Sequence, residues 1–182
     1  MLKPRGRIVL LSAILAALGA VMVLAVQREI APRVTVAPAA NANGAPQRAL
    51  SADEETYAAA LWPIHSEVVE ASAVAMSFAG VDYMTEHRDM SRLEAKVLPL
   101  HEAFQGAAMK ARALAVPVSM TRVHDQYLEA LSLFENASAE MVKIAQDGMI
   151  NHLIDAQGMS QRAAEDLLKV GDVLWPSEHK PN

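Results

Sequence analysis

The chain contains no cysteine. That excludes a disulfide framework, thiolate zinc sites, haem attachment through CxxCH and a lipid-modified N-terminal cysteine. Export is still open to it, because a domain of ~130 residues can be stable without cross-links. Aromatic residues are scarce, at 4% of the chain, whereas alanine is abundant, a balance that favours closely approaching helices over sheet. No basic stripe with interleaved aromatics accompanies the mild net charge of −5, so no nucleic-acid partner is expected. Phosphate-cradling glycine loops and a strained nucleophile turn are missing. No histidine follows a glutamate by three residues, as a carboxylate-bridged di-iron bundle requires. With no catalytic motif present, the sequence points to a non-enzymatic protein.

The most conspicuous feature that is present is the run Ile8–Val26, which has no charged residue and one hydroxyl, Ser12. At ~1.5 Å per residue it is long enough to cross a ~30 Å hydrocarbon core. Lys3, Arg5 and Arg7 precede it, which predicts a cytoplasmic tail at 1–7 and export of everything after 26. Only Val23-Leu24-Ala25 loosely fits a cleavage site, and the run exceeds a secretory core of 7–15 residues, so it reads as an uncleaved anchor. Residues 27–50 carry prolines, asparagines and a glycine without a sustained period, which reads as a linker.

From Ser51 to Pro176 the pattern is helical. Ser51-x-x-Glu54 fits a capping box, and Tyr57, Leu61, Ile64, Val68, Ala71, Ala75 and Phe78 step by four and three. Pro63 falls inside this seam, where it predicts a kink or the true helix start. Ser91-x-x-Glu94 is a second candidate box, ahead of Leu93, Val97, Leu100, Phe104, Ala107, Ala111 and Leu114. A third seam runs from Met120 through Tyr127 and Phe134 to Ile144 and stops at Asp147-Gly148. A fourth runs from Met149 through Leu153, Ala163 and Leu167 to Leu174. Short loops force neighbours to be antiparallel, so the expected fold is all-α: an N-terminal transmembrane helix at 8–26 plus an antiparallel up-down-up-down four-helix bundle at 51–176, with a polar tail at 177–182.

Pro117, then Val123-His124-x-x-Tyr127-Leu128-x-Ala130-Leu131, the Gly148 turn, and Leu153, Ala156, Ala163 and Leu167 together form a further pattern. It resembles the uncharacterised helical domains of membrane-anchored bacterial envelope proteins. That resemblance covers the C-terminal part of the chain and implies fold and location without an activity.

Two clusters follow from counting height along antiparallel rods at ~1.5 Å per residue. Trp62, His65, His124 and Trp175 share a level at one end, where a stacked aromatic plug is expected, with a small-molecule pocket as the alternative. At the other end Met84, His87 and Met90 fall near Met149 and His152. Thioether with imidazole suits copper, Cu(I) above all, although methionine is also ordinary filler at helix ends. No other cofactor is implied. The histidines otherwise sit one residue past seam positions, where an imidazole caps buried surface and bonds locally.

The functional expectation is therefore a single-pass protein of the bacterial inner membrane. Its N-terminus would lie in the cytoplasm and its bundle in the periplasm, acting through contacts with an unidentified envelope protein. Two alternatives stand beside it: a ligand- or copper-binding periplasmic module, and an accessory subunit of a larger membrane complex. For the last, Ala13, Ala16, Ala17, Gly19 and Ala20 would supply a small-residue packing face.

Overall fold

A computed structural model describes residues 48–85 and 88–176. These form an all-α four-helix bundle. The first rod is composite: α1 (Ala52–Pro63), a π-helical turn (Ile64–Val69) and α2 (Glu70–Thr85). The others are α3 (Met90–Arg112), α4 (Thr121–Asp147), which follows a 3-10 turn at Val118–Met120, and α5 (Asn151–Leu174). At one end Tyr57 of α1 meets His124 of α4, and Trp62 meets Trp175, which follows α5. At the other end Asp82 of α2 pairs with Lys96 of α3, and Leu153 of α5 lies against Gly80. Those pairings alternate the direction of successive rods.

Local chemistry accounts for the rod ends. Ser51 and Glu54 form a reciprocal capping box, satisfying two N–H groups that a helix start otherwise leaves open. Helix α3 does not begin at the Ser91 box. Asp89 caps it instead, its side chain accepting from the Arg92 N–H at 3.0 Å. Gly148 ends α4 in the left-handed region at φ 69, which only glycine adopts without a Cβ penalty. In mid-bundle Phe104 and Phe134 stack at 5.0 Å, both buried.

Apart from Met149, which is exposed, the second, third and fourth seams bury the faces their spacing indicates, with Val97, Phe104, Tyr127, Ile144, Ala163 and Val170 all in the core. The first seam does not. It buries Tyr57, Leu61 and Ile64, then steps by five to Val69 and continues through Ser72, Met76, Ala79 and Tyr83. Ala71 and Ala75 are exposed, and Phe78 is 43% exposed. The π-helical turn is the cause. Pro63 has no N–H to donate, and the pattern beyond it widens, so that Glu70 donates to the His65 carbonyl five residues back. One extra residue in a turn rotates all that follows by ~100°. Two side chains bond carbonyls around the break: Ser66 Oγ to Trp62 at 3.0 Å, and Trp175 Nε1 to Ala58 at 3.3 Å.

The membrane expectations need correction. Among the described residues no helix is long and apolar enough to cross a membrane. The expected anchor at 8–26, the tail at 1–7 and nearly all of the linker at 27–50 lie outside the described residues, as does the polar tail at 177–182. The fold that stands, among the described residues, is the all-α four-helix bundle. The inner-membrane topology, the periplasmic placement and the envelope partner, each of which depended on that anchor, are withdrawn.

Candidate functional site

The Trp-bearing end is the densest gathering of aromatic and imidazole groups. Trp62 projects from the last turn of α1, and its ring meets that of Trp175 edge-to-face, with centroids 5.0 Å apart. His65, in the π-helical turn, stacks on Trp175 at 4.9 Å and 22° and meets Tyr127 edge-on at 6.0 Å. His124 does not join these three directly. It lies beyond Tyr57, whose hydroxyl is hydrogen-bonded to its Nδ1 at 3.0 Å. Burial pushes the Tyr57 hydroxyl up to about 12, helped by the nearby Asp125 charge, so the phenol keeps its proton. Burial also lowers the His124 pKa, with Asp125 opposing, which keeps that imidazole neutral.

Tyr57 and Tyr127 complete this cluster, although spacing marked them only as core. The available signal was the hydroxyl itself: a tyrosine at a central seam position brings a polar group into the core that needs a partner. Tyr127 is fully buried, and its hydroxyl has no hydrogen-bond partner among the described residues. Burial, then the neighbouring Tyr57, raises its pKa far above the phenol range.

The other end does not assemble the expected copper site. Met84 packs partly buried against the core, while Met90 and Met149 are 43% and 54% exposed. The Met90 sulfur rests beside Gly148. His87 lies outside the described residues. His152 sits between two carboxylates, Nδ1 on Glu140 and Nε2 on Asp147 at 3.0 Å. The Glu140 hydrogen bond, supported by Asp147, raises its pKa. An imidazole donating from both nitrogens is protonated and offers no lone pair to a metal. Among the described residues no group of three or more His, Asp or Glu is placed to hold a metal ion. The copper reading is withdrawn.

Two further constellations emerge only in three dimensions. Glu54, though buried, accepts from Arg48, from the Ser51 N–H at 2.8 Å and from Ser119 Oγ at 2.7 Å. Arg48 above all holds its carboxyl well below the usual range. This clasp ties the start of α1 to the loop before α4. His101 Nδ1 lies 2.9 Å from Ser138 Oγ, which invites comparison with a nucleophile and its base. The polarity is wrong for that role. Nδ1 also faces the Glu135 carbonyl at 3.2 Å, which can only accept, so Nδ1 carries the proton. Gln105 donates to Nε2 at 3.2 Å, completing that tautomer, while Ser138 is fully buried and donates to the Glu135 carbonyl at 2.7 Å. A cleft of about 10 Å³ between α2 and α3, beside Asp82, Arg92 and Lys96, has room for one water.

No protein family model, curated protein or solved structure matches this chain. The resemblance to membrane-anchored envelope domains, carried by Val123-His124-x-x-Tyr127 and the Gly148 turn, is therefore not a family membership. Those residues are what any bundle of this shape uses: core positions and a helix stop.

Proposed function

We propose that the bundle is a non-enzymatic structural module whose imidazoles and buried carboxylate fasten its own helices together. One observation carries this reading: the imidazoles of His101, His124 and His152 are each hydrogen-bonded to a group on a neighbouring helix. His101 bonds α3 to α4, His124 bonds α4 to α1, and His152 bonds α5 to the end of α4. Fasteners and catalytic groups respond oppositely to removal. Functional sites are held at the expense of stability, so clearing them commonly stabilises a fold, whereas clearing a fastener destabilises it. His101→Ala, His124→Ala and His152→Ala are each expected to lower Tm in a thermal melt. A rise in Tm at any of the three would mark a working site there and overturn the reading.

A second reading rests on a separate observation, the partnerless hydroxyl of Tyr127. Under it Trp62, His65, His124 and Trp175 surround a small polar ligand bonded to that hydroxyl. A buried, unsatisfied hydroxyl costs about 1–3 kcal/mol. Tyr127→Phe is therefore expected to raise stability by roughly that amount if the cluster is a plug. A fall of similar size would show that something resident satisfies the hydroxyl and would favour the second reading.

A further inference from the structure

We propose that the π-helical turn is a migrating one-residue bulge that moves between Ile64–Val69 and the stretch around Gly80, exchanging which face of the intervening helix is buried. The first rod carries two uncharged, largely apolar seams one residue apart. One is Val69, Ser72, Met76 and Ala79, which the structure buries or nearly buries. The other is Val68, Ala71, Ala75 and Phe78, which continues the three-four spacing of Tyr57, Leu61 and Ile64 without interruption. Side-chain content is closely matched: a valine in each, with serine, methionine and alanine set against two alanines and a phenylalanine. Neither set holds a charge, so neither forbids the other by desolvation.

The fixed points lie outside the exchanging segment. Below it Ile64 is in the core and His65 is stacked on Trp175. Above it Tyr83 is 5% exposed, and Asp82 is paired with Lys96. A helix straight through Ile64 must still reach Tyr83, and Phe78 to Tyr83 is again a step of five, the mark of a π-turn. Gly80 lies inside that step, and glycine disfavours a regular α-helix most among the non-proline residues. An ideal Cβ there would meet Leu153 and Met141 only at 3.6 and 3.7 Å, so packing does not demand the glycine. Between the two positions the segment turns by ~100° and shifts by ~1.5 Å, a motion of the microsecond-to-millisecond class. Met76 moves outward as Phe78, now 43% exposed, moves in.

The test is thiol labelling of the full chain, which has no cysteine of its own. Single cysteines are placed at Met76, at Tyr83 and, as a global-unfolding reference, at Val97. Met76→Cys is expected to label at least tenfold faster than Val97→Cys, while Tyr83→Cys labels no faster than the reference. Deleting Glu67, which removes the extra residue, is expected to bring the Met76→Cys rate down to the reference. Equal rates at Met76 and Val97, equally fast labelling at Tyr83, or fast Met76 labelling that survives the deletion would each overturn the proposal. Methyl relaxation dispersion at Met76 of the unsubstituted chain gives a second reading: exchange there that vanishes on deleting Glu67 supports migration, and flat dispersion refutes it.

Discussion

Deleting one residue from the middle of a packed helix is ordinarily ruinous, and the first rod should be an exception. In α4, deleting the exposed Glu129 rotates the rest of the helix by ~100° and turns its core face toward solvent. Phe134, Met141 and Ile144, each no more than 3% exposed, would lose their burial. At ~1.5–3 kcal/mol per large apolar side chain the loss is about 5–9 kcal/mol, comparable to the whole stability of an ordinary domain. Deleting Glu67 from the π-helical turn does the reverse. The step from Ile64 to Val69 becomes a step of four, a continuous α-helix replaces the bulge, and Met76, Ala79 and Tyr83 keep their places in the core. The expected change is within about 1 kcal/mol, since no large side chain changes its burial. Urea unfolding followed by circular dichroism measures both deletions, with an unchanged m-value showing that the same surface is buried. A loss beyond about 3 kcal/mol for the Glu67 deletion, or equal losses for the two, would refute the account of the turn.

Two histidines should make stability depend on pH in opposite senses. His152 has a raised pKa in the fold, so its contribution is complete below about 6.5 and is lost as pH rises through the folded value. His124 has a lowered pKa, so its contribution is complete above about 6.5 and is lost as pH falls through the folded value. His152→Gln should therefore leave a stability that climbs with pH between 5 and 8, and His124→Phe one that declines, both read from denaturation midpoints across that range; unchanged profiles would contradict the assignments. Gly148→Ala should cost about 1 kcal/mol by equilibrium unfolding, because at φ 69 a Cβ carries a steric penalty that glycine avoids. No cost there would mean that the turn relaxes.

Much of the bundle was legible because apolar spacing is a direct record of which face is buried. The seams through Val97, Tyr127 and Leu167 needed no further information. The first rod was legible only as far as Ile64. Beyond it a three-four rule finds Val68 and Phe78 attractive, and nothing in their identities says that Pro63, five residues before Val68, is followed by a widened turn. Choosing between Asp89 and Ser91 as the cap of α3 likewise depends on where the chain arrives from α2, which spacing does not encode. Height arithmetic brought Trp62, His65 and Trp175 to one level because all three lie within a turn of helix ends. It failed at the methionine end, because level alone does not give direction: Met90 and Met149 face outward, and His152 turns to Glu140 and Asp147 across the Gly148 turn. The Glu54 clasp joins residues 65 positions apart, beyond the reach of any local pattern.

The π-helical turn decides which residues of the first rod form the core, and one coupling tests it directly. Scalar coupling across a hydrogen bond identifies which carbonyl an amide donates to. A through-bond correlation from the Glu70 amide nitrogen to the His65 carbonyl carbon is the result predicted by the five-residue return. A correlation from Glu70 to the Ser66 carbonyl instead would show an ordinary α-helix there, returning Val68 and Phe78 to the buried face.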